Sequence, residues 1–252
     1  MSYDAFARYY DGLTQNIDYD SLAAYYDRLR ERSGGRKGIL LDLACGTGSL
    51  SVRFAGMGYD VIGTDASPEM LDIALSKPHE GIQYICQDMT ELDMFGTIDT
   101  VICALDSLNH LADEDELREV FGRVSLFLDN GGVFLFDVNT PYKHEHILAD
   151  STFVYETEDV FCVWENEYEG DGVTDIQLDF FERDPETGLY SRSSDGFSER
   201  AFSRDCIERL LEEEGFELCG VYAYPTEDEP EETTEKLTFA ARMTHSKNAE
   251  YK

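Results

Sequence analysis

The sequence predicts an α/β fold built on a seven-stranded, mostly parallel sheet with helices on both faces. Three observations carry that reading. Short apolar runs alternate with helical patterns across residues 38–140. One run, Ile39-Leu40-Leu41, passes through Asp42 into a glycine turn, Gly46-Thr47-Gly48, and then into a helical pattern from Leu50. Acidic residues, Asp65 and Asp88, follow the next two apolar runs. Strand–helix alternation implies parallel strands joined by right-handed crossovers, so a ligand is expected outside the carboxyl ends of the strands.

The elements follow in order. Tyr3, Phe6, Tyr9 and Tyr10 recur at helical spacing, and so do Leu22, Tyr25, Tyr26 and Leu29. Two helices are therefore expected within residues 3–32, the second capped by Asp18 or Asp20 and ended by Gly34-Gly35. This segment reads either as core packing or as a lid that brings Tyr10 to a ligand. Strands are expected at 38–43, 59–64, 82–86, 98–105 and 133–138. The helices between them begin near residue 48, at Ser67-Pro68-Glu69 and at Asp113. Asn130-Gly131-Gly132 is expected to stop the last of these.

The pattern then changes. A short helix is expected over 141–149, and residues 151–201 alternate and carry turn signals at Asp171-Gly172 and Thr187-Gly188. They read as an antiparallel meander of three or four strands inserted after strand five. A helix capped by Ser203 and stopped by Gly215 leads to a closing hairpin, 216–224 and 236–243, across the acidic loop 226–235. The chain reads as a single domain: an N-terminal helical segment (1–37), a ligand-binding core (38–140), the β insertion (141–202) and the completion of the core (203–245). The tail after Thr244 is expected to fray.

Composition narrows the partners. The chain has 20 Lys and Arg against 53 Asp and Glu, a formal net charge of −33. Nucleic acid is a poor partner for such a surface, because phosphate contacts draw their affinity from Lys and Arg. No apolar run approaches the roughly 18 residues of a membrane span. The first residues, polar and acidic, do not read as a signal peptide. The six cysteines are scattered without a C-x-x-C pair, so neither a zinc site nor a disulfide framework is expected. These features suggest a cytoplasmic protein with no membrane, nucleic-acid or metal partner, a monomer or homodimer.

The strand, glycine turn and helix start present free backbone N–H groups to a ligand. Asp65, nineteen residues after Gly46, can accept hydrogen bonds from both hydroxyls of a ribose. That spacing also occurs in NAD-binding folds. Asp42 ahead of the glycines, Ser51 in place of a third glycine, and Gln87-Asp88-Met89 after strand three argue against a dinucleotide. Together these residues resemble the motifs of the Rossmann-like class I S-adenosylmethionine-dependent methyltransferases, small-molecule type. The resemblance covers residues 38–140 by motif and the rest by element order.

It implies S-adenosylmethionine as cofactor and S-adenosylhomocysteine as product. Asp42, Ala44, Gly46, Gly48, Asp65, Ala66, Asp88, Met89 and Leu105, with Tyr10 from the lid, are the implied cofactor set. Asp88 would accept from the adenine amino group, and Asp42 would orient the glycine turn or the methionine ammonium. Asp106, His110 and Tyr10 are the implied catalytic residues, with Asn109 beside them to hold the acceptor; Asp106 is equally readable as a helix cap. Tyr142, His144 and His146 could face the substrate. Asn139-Thr140-Pro141-Tyr142 is similar to a signature of amide and adenine methyltransferases, but it follows strand five instead of strand four and reads as a strand leading into a helix. The resemblance implies a small-molecule acceptor, with amines first, and the acidic loop suggests a cationic one. A non-catalytic cofactor-binding protein and an NAD-type oxidoreductase are the competing classes, and an RNA or protein methyltransferase is a minor variant.

Overall fold

A computed structural model describes residues 4–77, 81–157 and 160–244. Tyr3 and the tail after Thr244 lie outside the described residues. Two helices, α1 (Asp4–Leu13) and α2 (Tyr19–Arg32), precede the core. Asp18 caps α2 by accepting the Ser21 N–H. The core runs β1 (Ile39–Leu43), α3 (Ser49–Gly56), β2 (Asp60–Asp65), α4 (Pro68–Ser76), β3 (Gln83–Cys86), β4 (Ile98–Cys103), α5 (Glu114–Phe127) and β5 (Leu128–Asn139). A short helix, α6 (Pro141–Lys143), continues into a wider turn over His144–Leu148. Then come β6 (Thr152–Glu156), β7 (Val160–Gly170), β8 (Val173–Arg183), β9 (Tyr190–Arg200), α7 (Arg204–Glu213), β10 (Phe216–Ala223) and β11 (Lys236–Met243).

The main sheet has the order β10-β11-β5-β4-β1-β2-β3. Only β11 runs against its neighbours, β5 and β10. Alternation along β1 explains the two covered faces. Leu41 and Leu43 meet Phe121 and Val124 of α5 and Ile207 and Leu210 of α7. Leu40 points the other way, to Tyr25, Tyr26 and Leu29 of α2 and Phe54 of α3. Strands buried on both faces read as unbroken apolar runs, which is what the sequence shows.

Two strands differ from expectation by more than one residue. Strand five begins directly at Leu128, and the glycines after Asn130 sit inside it, where the pairing shifts from Ile98↔Leu128 to Thr100↔Val133. Gly131, at φ 77, supplies the left-handed residue which that irregularity needs. Strand four ends at Cys103, two residues early, because Leu105 and Asp106 turn left-handed at φ 58 and 56.

The insertion is a separate four-stranded antiparallel sheet, β6-β7-β8-β9. Its inner face, with Cys162, Ile176, Leu178, Phe180 and Phe197, packs on Phe6 and Ala7 of α1. The N-terminal helix and the meander thus form one cover. The loop 226–235 lies at the carboxyl edge of the sheet, where Thr140 donates from its N–H to Glu235 O and from Oγ1 to Thr234 O. Among the described residues no helix is long and apolar enough to cross a membrane.

Candidate active site

The glycine turn sits where β1 leaves the sheet. Ala44, Gly46 and Gly48 all take positive φ, 58, 54 and 72, so the chain reverses within five residues and opens α3. A Cβ at Gly46 would meet no protein atom, so that side of the turn faces open space. A Cβ at Gly48 would strike the Tyr84 hydroxyl, so glycine is needed there for packing as well as for conformation. Beneath the turn Asp42 is buried and accepts a short hydrogen bond from Ser51 Oγ, tying the strand end to the first turn of α3. Burial outweighs that bond and, with Asp65 nearby, pushes the Asp42 carboxyl up to about 7.

The open side is a cavity of about 470 Å³. Ala44, Gly46, Asp65, Ala66, Asp88, Met89 and Leu105 line it, with Tyr10 and Phe6 from the cover and His110 opposite. A small recess of about 30 Å³ continues it toward Asp42, Tyr10, Tyr19, Cys45 and Thr47. Asp65, at the end of β2, accepts the Gly46 N–H on Oδ2 at 2.7 Å and the Ser67 N–H on Oδ1 at 2.9 Å. Burial raises its carboxyl above the ordinary aspartate value, against those two bonds. Asp88 Oδ1 accepts from the N–H and hydroxyl of Thr90, which caps a short helical turn, Met89–Glu91. No lysine or arginine is among the described residues lining the cavity, and none of those residues forms a metal-binding group.

The far end of the site is held by a residue absent from the expected set, Asp137. Buried in β5, it accepts the backbone N–H groups of Leu105 and Asp106, both at 2.8 Å, and the Tyr26 hydroxyl. It therefore fixes the left-handed turn that aims Leu105 into the cavity. Its signal in the sequence was a lone acid within the apolar run of strand five.

Asp106 itself turns away. It lines neither cavity, and makes no helix-capping bond. Its Oδ2 accepts from Asn139 Nδ2 at 2.6 Å and lies 3.3 Å from Lys236 Nζ. Burial disfavours its charge, but Lys236, Lys143 and His110 outweigh burial and hold the carboxyl at about 2. A carboxyl held that low stays charged at neutral pH and is a weak base. Asn109 is spent structurally, donating to Asn139 O and Arg200 O and accepting the Asn139 N–H. His144 is buried against the meander on Thr174, and the Tyr142 ring packs, tilted, against His146 with centroids 4.8 Å apart. His110 keeps its place in the cavity wall, packed at 4.9 Å on Phe197. Burial lowers its imidazole below the ordinary histidine value despite Asp106, so the ring is neutral at pH 7.

The cover is fastened to the glycine turn. Thr47 Oγ1 donates to Asp11 Oδ1 at 2.6 Å. Lys77 Nζ reaches Asp11 Oδ2 at 2.7 Å, Thr47 Oγ1 at 2.9 Å and Ser49 Oγ at 2.8 Å. Nothing in the spacing of Asp11 and Lys77 announces that pair. Tyr10, next to Asp11, is thereby held in the walls of both the cavity and its recess.

The sequence family described as a methyltransferase domain matches residues 40–132. A protein named as a methyltransferase in Geobacillus sp. (strain WCH70) is 34% identical over 248 residues, 96% of this chain and 100% of that protein. The crystal structure of an S-adenosylmethionine-dependent methyltransferase from Clostridium acetobutylicum ATCC 824 superposes with a TM-score of 0.85. It is 31% identical and covers 96% of this chain and 99% of its own. A glycine/sarcosine N-methyltransferase of Aphanothece halophytica is 28% identical over 200 residues, 73% of this chain and 68% of that protein. The chain belongs to the class I S-adenosylmethionine-dependent methyltransferases. It is an enzyme, and S-adenosylmethionine is its cofactor.

Proposed function

We propose that the enzyme methylates a small-molecule amine, with the cofactor held between Asp65 and Asp88 and the acceptor presented opposite, beside His110 and Tyr10. The observation that carries this reading is the cavity itself. It is of ligand size, is lined by the carboxylates of Asp65, Glu69, Asp88 and Glu116 and by the neutral imidazole of His110, and has no cation among its described lining residues. A ribose diol and an adenine amino group need acceptors, which Asp65 and Asp88 supply. A pyrophosphate would need cations or a longer run of free N–H groups. The glycine turn gives the amino-acid end of the cofactor close approach at Gly46, with Gly48 shaping the turn. Ala44, Ala66, Met89 and Leu105 supply apolar wall, and Asp42 braces the turn through Ser51.

The bound cofactor supplies a methyl group on a sulfonium, which leaves as a neutral thioether. The residues then have two tasks. Alignment of the two reactants is the larger, with a ceiling of roughly 7–11 kcal/mol. The second is proton removal, because an amine binds mostly as its ammonium. A ring nitrogen of His110, neutral at pH 7, accepts that proton and frees the lone pair for attack. The glycine/sarcosine N-methyltransferase relative supports a nitrogen acceptor. Calorimetric titration with S-adenosylmethionine, S-adenosylhomocysteine and NAD, followed by methyl transfer to matched amines and alcohols, tests the reading. Micromolar binding of the first two and turnover of amines alone supports it; turnover of alcohols alone overturns the amine.

A further inference from the structure

His110 stands where the core and the cover meet. It lies on the turn after β4, and its ring packs, tilted, on Phe197 of β9 with centroids 4.9 Å apart. Phe197 in turn meets Phe6 of α1 at 5.8 Å and Trp164 of β7 at 6.1 Å, so ring contacts carry it into the rest of the cover.

The chain on both sides of His110 is bonded to one residue at the end of β9. Asn109, just before it, donates from Nδ2 to Arg200 O at 2.8 Å. Ala112, two residues after it, accepts on its carbonyl from Arg200 Nε. Arg200 thus grips the turn twice, once as a backbone acceptor and once as a side-chain donor. Arg200 belongs to the cover: it pairs with Val173 of β8, and its Nη1 donates to Asp171 O at 3.1 Å. Asn109 belongs to the core. Its Oδ1 accepts the Asn139 N–H at 2.8 Å and its Nδ2 donates to Asn139 O at 3.2 Å, so the amide meets β5 as a neighbouring strand would. Asn109 is fully buried, with both amide donors and its acceptor committed. Neither Asn109 nor Arg200 lines the cavity or its recess.

We propose that Asn109 and Arg200 are positioning residues for methyl transfer: their clasp on the turn holds the His110 ring against Phe197, sheltered from water and facing the acceptor. The inference rests on the reading of His110 as the group that takes the acceptor's proton.

The groups around His110 give the clasp a measurable consequence. Asp106 on its own turn favours the imidazolium, and burial outweighs it. Tyr10 of α1, Asp65 of β2, Glu69 of α4, Asp88 after β3 and Glu116 of α5 share the cavity wall with it. From β9 the ring meets the apolar Phe197, with Glu199 and Arg200 further along the strand. Loosening the clasp admits water beside the ring while Asp106 stays, so the imidazole keeps its proton to a higher pH.

The test is the titration of His110 by nuclear magnetic resonance in the S-adenosylhomocysteine complex, its signal assigned by its loss in His110→Gln. Arg200 is partly exposed, so Arg200→Met removes the donor to Ala112 O with the fold retained, and Arg200→Lys returns a donor. Asn109→Ala strands the buried Asn139 N–H and is measured alongside, with circular dichroism to establish that it folds. The midpoint should rise toward the ordinary 6.5 in Arg200→Met and Asn109→Ala and fall back in Arg200→Lys. Methyl transfer to glycine, the probe amine, should follow: each half-unit of rise costs about threefold in rate on the acid limb, and the rate on the alkaline side is kept. A midpoint that stays in place in Arg200→Met overturns the proposal, whatever the melting temperature does. A midpoint that moves without a matching change in the glycine profile overturns the reading of His110 as the base, and the catalytic role of the clasp with it. If glycine is not methylated, the resonance midpoint decides alone.

Discussion

Asp137 Oδ1 accepts the backbone N–H of Asp106 at 2.8 Å while its Oδ2 accepts that of Leu105 at the same distance. A fully buried carboxylate thus does for a loop what a cap does for a helix: it satisfies two adjacent donors and makes a left-handed turn affordable in the absence of glycine. Lys236, 3.3 Å away, balances its charge. Asp137→Ala removes the acceptor for both N–H groups and leaves Lys236 with Asp106 alone. Loss of one partner from a buried pair typically costs about 3–5 kcal/mol. Urea unfolding should show that loss, and a change below about 1 kcal/mol would mean that the turn holds itself.

The cofactor end is tested at Asp65. Its carboxylate is the acceptor placed to meet the ribose, and charge-assisted bonds are worth about 1.5–3 kcal/mol. Asp65→Ala should weaken S-adenosylmethionine binding by roughly ten- to a hundredfold. Calorimetry measures this, with a melting curve alongside because Asp65 also braces the Gly46 and Ser67 N–H groups. An unchanged dissociation constant would place the ribose elsewhere.

The order of strands and helices was legible because periodicity and turn residues are local signals, and so were the glycine turn and the acids at the ends of β2 and β3. The long-range partnerships were not. Asp11 meets Lys77 and Thr47 only because α1 folds over the sheet, 36 residues from the turn it fastens. Ser51 looked like a missing glycine, whereas its hydroxyl is the partner of Asp42. Asp106 was read as a reacting group from its place after strand four. Its direction is set by Asn139 and Lys236, from β5 and β11, which no pattern around residue 106 could reveal.

The fastening between α1 and the glycine turn should govern how long the cofactor stays. Asp11→Ala removes the contacts to Thr47 and Lys77. The Asp11 side chain is 43% exposed, so solvent screening limits the ion pair to about 0.2–1 kcal/mol. Dissociation of S-adenosylhomocysteine should quicken by up to about fivefold, with the far-UV spectrum unchanged. Stopped-flow fluorescence can follow it, and an unaltered off-rate would show that cofactor exit does not require the cover to lift.

Stability should depend on pH through Glu199. Its carboxyl moves from an ordinary 4.5 to about 8, chiefly through burial and then through repulsion by Asp106, against the pull of Lys143, Lys236 and the Asn139 amide. The folded chain keeps a proton there that the unfolded chain has already lost. The contribution is therefore complete below about pH 4.5 and is lost as pH rises toward 8. Asp42, raised to about 7, acts with the same sign, whereas the lowered values of His110 and His144 act oppositely on the acid side. A difference measurement separates them. Glu199→Gln keeps the shape and an acceptor for Asn139 but cannot ionise. Relative to the wild type it should gain in melting temperature steadily from pH 5 to about pH 8 and level off above that, measured without cofactor at constant ionic strength. A difference that stays flat between pH 5 and pH 8 would mean Glu199 ionises normally.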